Sequence, residues 1–292
     1  MKLFVKNLFC FFIVLFVFYF ILWTQYVWRM GDYSFGLPKK KTVIVVGDSQ
    51  TQADVNDTIC YNVQNISLAH DGYFSMYKRI QLYVEANPQV NTIVLAMTPH
   101  TMSPVKDEFY HNFGYVEETT KHYLPYFTLE DWWLLVSNDH ADVLSALVTP
   151  LKFYLTPSQK RIKEMGYYES ADYSHLKEDI KSGAVRLVPD SCETDYGNEI
   201  TLKYLHKIVN YCKEKNLRLI GVNTPVLHGE KYFDMENYRR LISTDFKDLE
   251  VWDDMGMEFP DSCRRDVNHL NKWGAEIYSQ ILKTRLNNYM NN

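Results

Sequence analysis

The sequence is poor in cysteine, near electrical balance and free of repeats, and each shortage removes a class of function. Only five cysteines occur in 292 residues, and none falls in a CxxC or Cys/His spacing that would hold a metal. No metal is therefore expected. Lys and Arg number 31 against 36 Asp and Glu, for a formal charge of −5. That balance lacks the basic footprint of a nucleic-acid-binding chain, so no nucleic-acid partner is expected. There is no low-complexity tract. A content of 46% hydrophobic and 23% charged residues excludes wholesale disorder. No small-x-small cleavage site follows the apolar N-terminal run.

What is present begins with that run. Residues 8–23, LFCFFIVLFVFYFILW, are apolar without interruption, close to the roughly 20 residues that a bilayer core requires. Lys2 and Lys6 precede it, and Trp23, Tyr26 and Trp28 suit a membrane interface. Residues 1–30 read as an uncleaved transmembrane signal anchor, with a cleaved signal peptide as the alternative. Residues 31–41, GDYSFGLPKKK, read as a linker. Arg29 and Lys39, Lys40 and Lys41 nearly balance the charges ahead of the run, so charge alone does not orient it. Aromatics make up 15% of the chain, with 22 tyrosines. These serve packing or a carbohydrate-facing surface, since Tyr and Trp offer flat apolar faces with a polar handle. Cys60, Cys192, Cys212 and Cys263 allow one or two disulfides in an exported domain, or remain buried free thiols.

After the linker, short apolar runs alternate with helical patterns. Strands are expected at 42–46 (TVIVV), 63–69, 91–97, 217–223 and, more weakly, 249–254. Helices are expected at 73–86, stopping before Asn87-Pro88, at 198–216 and at 271–286. Such alternation implies an α/β fold with a mainly parallel sheet covered on both faces. Residues 105 to about 195 break the rhythm and read as a mostly helical insertion in a domain spanning 42–292.

In an open parallel sheet, ligands bind beyond the carboxyl ends of the strands. Gly47-Asp48-Ser49 stands at such an end. Gly47 permits a sharp exit from the strand, and Ser49 can open a helix with its hydroxyl toward the crevice. The alternative is a plain turn, because Asp and Ser are favoured helix N-caps. Near the other terminus, Asp266 and His269 lie three apart just before the last helix. A serine hydroxyl needs a base, His suits neutral pH, and a carboxylate fixes the imidazole tautomer.

These two blocks, Gly47-Asp48-Ser49 and Asp266-x-x-His269, resemble the first and last motifs of the SGNH, or GDSL, hydrolase superfamily. The run His269 to Gly274, HLNxxG, is similar to membrane-associated members that move acyl groups on cell-envelope polymers. The resemblance covers roughly 41–105 and 198–288. It implies a flavodoxin-like three-layer α/β/α sandwich, with Ser49 as nucleophile, His269 as base and Asp266 as its orienting partner. The family's oxyanion glycine follows the second strand. Gly72 is on offer there, though simple register puts His70 or Asp71 at that point. The family's Asn after the third strand is missing, and Thr98 or His100 stands nearest.

The resulting expectation is a membrane-anchored serine esterase or O-acyltransferase acting on an acylated polysaccharide or other ester, requiring no metal or diffusible cofactor. Its domain would lie outside the cytosol, periplasmic or extracellular, alongside a possible membrane-bound acyl-transfer partner. The alternatives are a non-catalytic SGNH-like protein that binds glycan or an envelope partner, and a lipase acting on the membrane itself.

Overall fold

The computed structural model describes residues 1–31, 35–103, 123–138, 140–155, 165–169, 176–182, 199–227 and 234–291. The chain divides into two compact units. One joins Met1–Ser34 to His111–Ile162, and the other joins Phe35–Tyr110 to Lys163–Asn292.

The larger unit is built on five parallel strands: β1 Val43–Val46, β2 Val63–Asn65, β3 Thr92–Ala96, β4 Arg218–Asn223 and β5 Glu250–Asp253. Their order in the sheet is β2-β1-β3-β4-β5. This is the doubly wound order of flavodoxin-like folds, with the reversal between β1 and β3. Helices cover both faces, so β1 and β3 are buried along their whole length and are nearly all apolar. Val43, Val45, Val94, Ile220, Val222 and Trp252 form one core with Tyr278, Leu282 and Leu286 of the terminal helix. Alternate residues such as Ile44 and Ile93 point to the opposite face by the two-residue period of a strand. Helices at Tyr73–Ala86 and Glu199–Glu214 pack on each other through Phe74 and Tyr204, edge to face at 4.8 Å. Cys60, Cys212 and Cys263 are buried free thiols, and burial pushes Cys60 up to about 11 and Cys212 up to about 12. Cys192 lies outside the described residues.

Two elements differ from expectation in length. β2 stops at Asn65 because that side chain takes over the local hydrogen bonding. Its Oδ1 accepts from the Ser67 N–H at 2.9 Å, and its Nδ2 donates to the Thr51 and Val55 carbonyls. The chain nevertheless continues beside β1, with Ile66 N–H on Val45 and Leu68 N–H on Gly47. The terminal helix runs on to Asn291.

The smaller unit contains α1 Lys2–Gly31, with mean hydropathy 2.4 over its most apolar stretch. Among the described residues it is the one helix long and apolar enough to cross a bilayer, which fits a single-pass anchor or a signal sequence. Helices at Leu129–Asn138 and His140–Leu155 pack beside it. Tyr26 meets Phe153 at 5.2 Å, and Trp23 meets Trp132 at 6.2 Å. The first of these helices is opened by Thr128, whose N–H and hydroxyl both donate to Asp131 at 2.7 Å. Much of the expected insertion, including 104–122, 156–164, 170–175 and 183–198, lies outside the described residues.

Candidate active site

The helices are numbered on from α1 along the chain: α2 Ser49–Asp54, α3 Tyr73–Ala86, α4 Leu129–Asn138 and α5 His140–Leu155 (these two in the smaller unit), α6 Leu176–Ser182, α7 Glu199–Glu214, α8 Met235–Asp245 and α9 Lys272–Asn291.

The exit from β1 is crowded. A Cβ on Gly47 would stand 2.0 Å from Thr51 Oγ1 and 2.6 Å from the Ala96 Cβ, so only glycine fits where the chain turns into α2. Asp48 caps that helix by accepting the Gln50 N–H at 3.1 Å, and its carbonyl accepts the Thr51 hydroxyl. Ser49 therefore opens α2, half-buried at the carboxyl end of β1 and beside the β1/β3 reversal. As a first-turn N–H, its amide has no partner within the helix.

The second half comes from the loop before α9. Arg264 bridges Leu270 in antiparallel fashion, and the Arg265 N–H donates to the His269 carbonyl at 3.0 Å. Inside this narrow turn, Asp266 Oδ1 accepts the N–H groups of Asn268 and His269, both at 2.9 Å. The Asp-x-x-His spacing is thus one side-chain-closed turn. Asn271 then opens α9 by accepting the Trp273 and Gly274 N–H groups.

The two halves meet at Ser49 and His269. His269 Nε2 lies 3.0 Å from Ser49 Oγ, and His269 Nδ1 lies 2.8 Å and 3.0 Å from the two Asp266 oxygens. Burial alone would push the Asp266 carboxyl up. The hydrogen bond and charge of His269, then those of Arg265, overcome it and hold Asp266 well below the usual carboxylate range. An ionised Asp266 assigns the proton to Nδ1, which leaves the Nε2 lone pair facing the Ser49 hydroxyl. Arg265 Nε donates to Asp266 Oδ2 at 2.9 Å, and its NH2 group stands 3.0 Å from His269 Nδ1. A protonated Nδ1 cannot accept from it, so in this tautomer Arg265 acts as a nearby charge and as the clamp on the outer Asp266 oxygen.

Ser49, Asp266 and His269 are brought into direct contact. The other five expected residues stand on the loops after β2 and β3, at the same edge of the sheet. Gly72 is buried as the N-cap of α3, with an extended backbone. Asp71 is fully buried in an ion pair with Arg79 of α3. His70 is exposed in the left-handed region, at φ 65°, next to Ala69, whose N–H donates to Gln52 of α2. Thr98 is buried and tied to Thr101 by reciprocal bonds of 2.9–3.0 Å. His100 is half-buried, and its carbonyl accepts the Ser103 hydroxyl.

Two participants were not foreseen. Arg265 carried a sequence signal, because it adjoins Asp266. Asp54, at the end of α2, carried none. Its Oδ1 accepts the Leu270 N–H at 2.8 Å, tying α2 to the residue after His269 across 216 positions. Burial raises the Asp54 carboxyl to about 7, against lowering by His269, the Leu270 N–H, Thr224 and Arg264. A further strip, residues 165–169, runs beside α2. The Gly166 N–H donates to Ser67, the Tyr168 N–H donates to Gln52, and Glu169 pairs with Lys272 at 3.2 Å. No group of three or more metal-ligating side chains occurs among the described residues.

No protein-family model matches the chain, and no curated protein matches it. Among solved structures, the chain is similar to a GDSL-like lipase from Bacteroides thetaiotaomicron, at 9% identity and a TM-score of 0.41. That likeness covers 91% of this chain and 97% of the lipase. A likeness that distant says nothing about chemistry, which has to come from the side chains.

Proposed function

We propose that the protein is an SGNH-type serine esterase or O-acyltransferase. The observation that carries this reading is the continuous Ser49–His269–Asp266 hydrogen-bonded chain, drawn from opposite ends of the sequence. Ser49 Oγ attacks the ester carbonyl carbon while His269 Nε2 takes its proton. The oxyanion is held by the Ser49 N–H and by a donor from the loop around Gly72. The C–O bond to the alcohol then breaks, His269 returns the proton to the leaving oxygen, and the acyl group stays on Ser49. Water or a sugar hydroxyl, deprotonated by His269, attacks the acyl-enzyme and releases the acid or a new ester. Asp266 stays ionised throughout and stabilises the imidazolium. With α1 as a membrane anchor, the substrate we favour is an acylated envelope polysaccharide outside the cytosol, reached beside a membrane-bound acyl donor.

A second reading, a non-catalytic protein that binds glycan or an envelope partner, draws support from Thr98. Its hydroxyl is occupied by Thr101 where a side-chain oxyanion donor would be wanted. Turnover of a panel of acetyl esters by the full-length protein separates the two. Ser49→Ala and His269→Ala should each cost on the order of 10³-fold, and the double variant little more, because triad members act as a unit. A folded Ser49→Ala protein with wild-type turnover would remove the nucleophile assignment. A wild type inert toward every ester would favour the binding protein.

A further inference from the structure

Of the helices beside α1, α5 buries mainly small and hydroxylated residues. In α5, Ser145, Ala146 and Thr149 are buried together with Phe153 against the smaller unit's core, while Leu144 at 63%, Leu147 at 44% and Leu151 at 40% exposure face outward. These leucines recur at positions 144, 147 and 151, on one side of the helix. A helix in water does the reverse, turning its leucines in and its hydroxyls out. Small and hydroxylated residues at the contact with large apolar ones outside is the arrangement found where lipid is the solvent. The Thr149 hydroxyl is satisfied by the Ser145 carbonyl at 2.8 Å, so the buried face carries no unmet hydrogen-bonding need there. In α4, Leu129, Trp133 and Val136 also face outward.

Depth follows from the contacts with α1. Leu147 and Trp132 share an apolar groove with Phe16, Tyr19, Phe20 and Trp23. Phe16 lies seven residues before Trp23, or about 10 Å along a helix. Trp23, Tyr26 and Trp28 mark the interface level of α1. Whatever packs beside Phe16 lies well below that level, in the hydrocarbon. With 16 residues α5 is about 24 Å long, longer than the roughly 15 Å of one leaflet and shorter than the full core of about 30 Å.

We propose that the α4–α5 hairpin is a second membrane element, embedded in the hydrocarbon beside α1 with its leucine face against lipid tails. This rests on α1 being a membrane helix. Continuity with that apolar surface identifies the occupant as a bilayer. The test uses the unmodified full-length protein in phosphatidylcholine vesicles containing a hydrophobic diazirine, with labelled peptides located by mass spectrometry. Label on both α1 and residues 143–155 is expected. Label confined to α1 overturns the hairpin proposal alone, and absence of label from α1 as well overturns the anchor with it. A nitroxide at Leu151→Cys, in a Cys10→Ser/Cys192→Ser background, gives a second reading against Tyr61→Cys on the larger unit. Position 151 should collide with oxygen and be shielded from a water-soluble nickel complex, and position 61 should show the opposite. Equal access to nickel at both, or shielding of 151 from both relaxants by a protein partner, contradicts lipid contact.

Discussion

At the scale of single residues, Asp54 gives the sharpest test of the electrostatics around the site. Its carboxyl is raised to about 7 by burial, against about 3.9 for an unperturbed aspartate. The folded protein therefore holds a proton that the unfolded chain has lost between roughly pH 4 and 7. A state that binds more protons loses ground as pH rises, so this contribution to stability falls through that window and is gone above it. Asp54→Asn keeps an oxygen for the Leu270 N–H and removes the titration. Relative to wild type, the variant should gain on the order of 4 kcal/mol between pH 4 and pH 8, read by urea unfolding. Parallel stability profiles would show that Asp54 does not titrate there. The meeting of Ser49, Asp266 and His269 was legible because a serine–histidine–carboxylate chain constrains both residue type and spacing. Asp54 was not, since a lone carboxylate ending a short helix looks like any solvated one. The commitment of Asp71 to Arg79 was equally invisible, because that burial depends on how α3 meets the sheet.

At the scale of elements, the hairpin before α9 is held by contact with the helix it precedes. A Cβ on Gly274 would stand 2.2 Å from the Cys263 carbonyl oxygen and 3.0 Å from the Leu270 Cβ. Cys263 and Leu270 flank the Arg264–His269 turn, so Gly274→Ala must push α9 and that turn apart. Overpacking of this kind costs about 1–3 kcal/mol. The variant should melt lower and lose ester turnover even though it alters no reacting group. Unchanged melting and turnover would mean that the hairpin is not set by this contact. The strands and core helices were readable from apolar runs and helical spacing, as with TVIVV and the stop at Asn87-Pro88. The early end of β2 was not, because it hangs on the Asn65 side chain reaching α2. Nor was the outward leucine face of α5, since a periodic pattern shows a stripe without saying which way it faces.

At the scale of the whole molecule, a parallel sheet in the order β2-β1-β3-β4-β5 places the end of β1 at the reversal, and α9 returns the far end of the chain to it. Three layers, with helices on both faces of a parallel sheet, were legible from the alternation of strands and helices. The partition of residues 111–162 to the unit containing α1 was not, because it reflects contacts remote in sequence. An envelope role requires the larger unit to lie outside the cytosol. A C-terminal reporter should then be active only on that side, and a reporter active solely in the cytosol would overturn the placement. The central claim is that His269 makes Ser49 a nucleophile, and it is tested most directly by intact-mass measurement after exposure to a fluorophosphonate. The account predicts one adduct on the wild type, mapped to Ser49, lost in Ser49→Ala and strongly slowed in His269→Ala. A folded wild-type protein that takes up no phosphonate, or carries it on another residue, would contradict it.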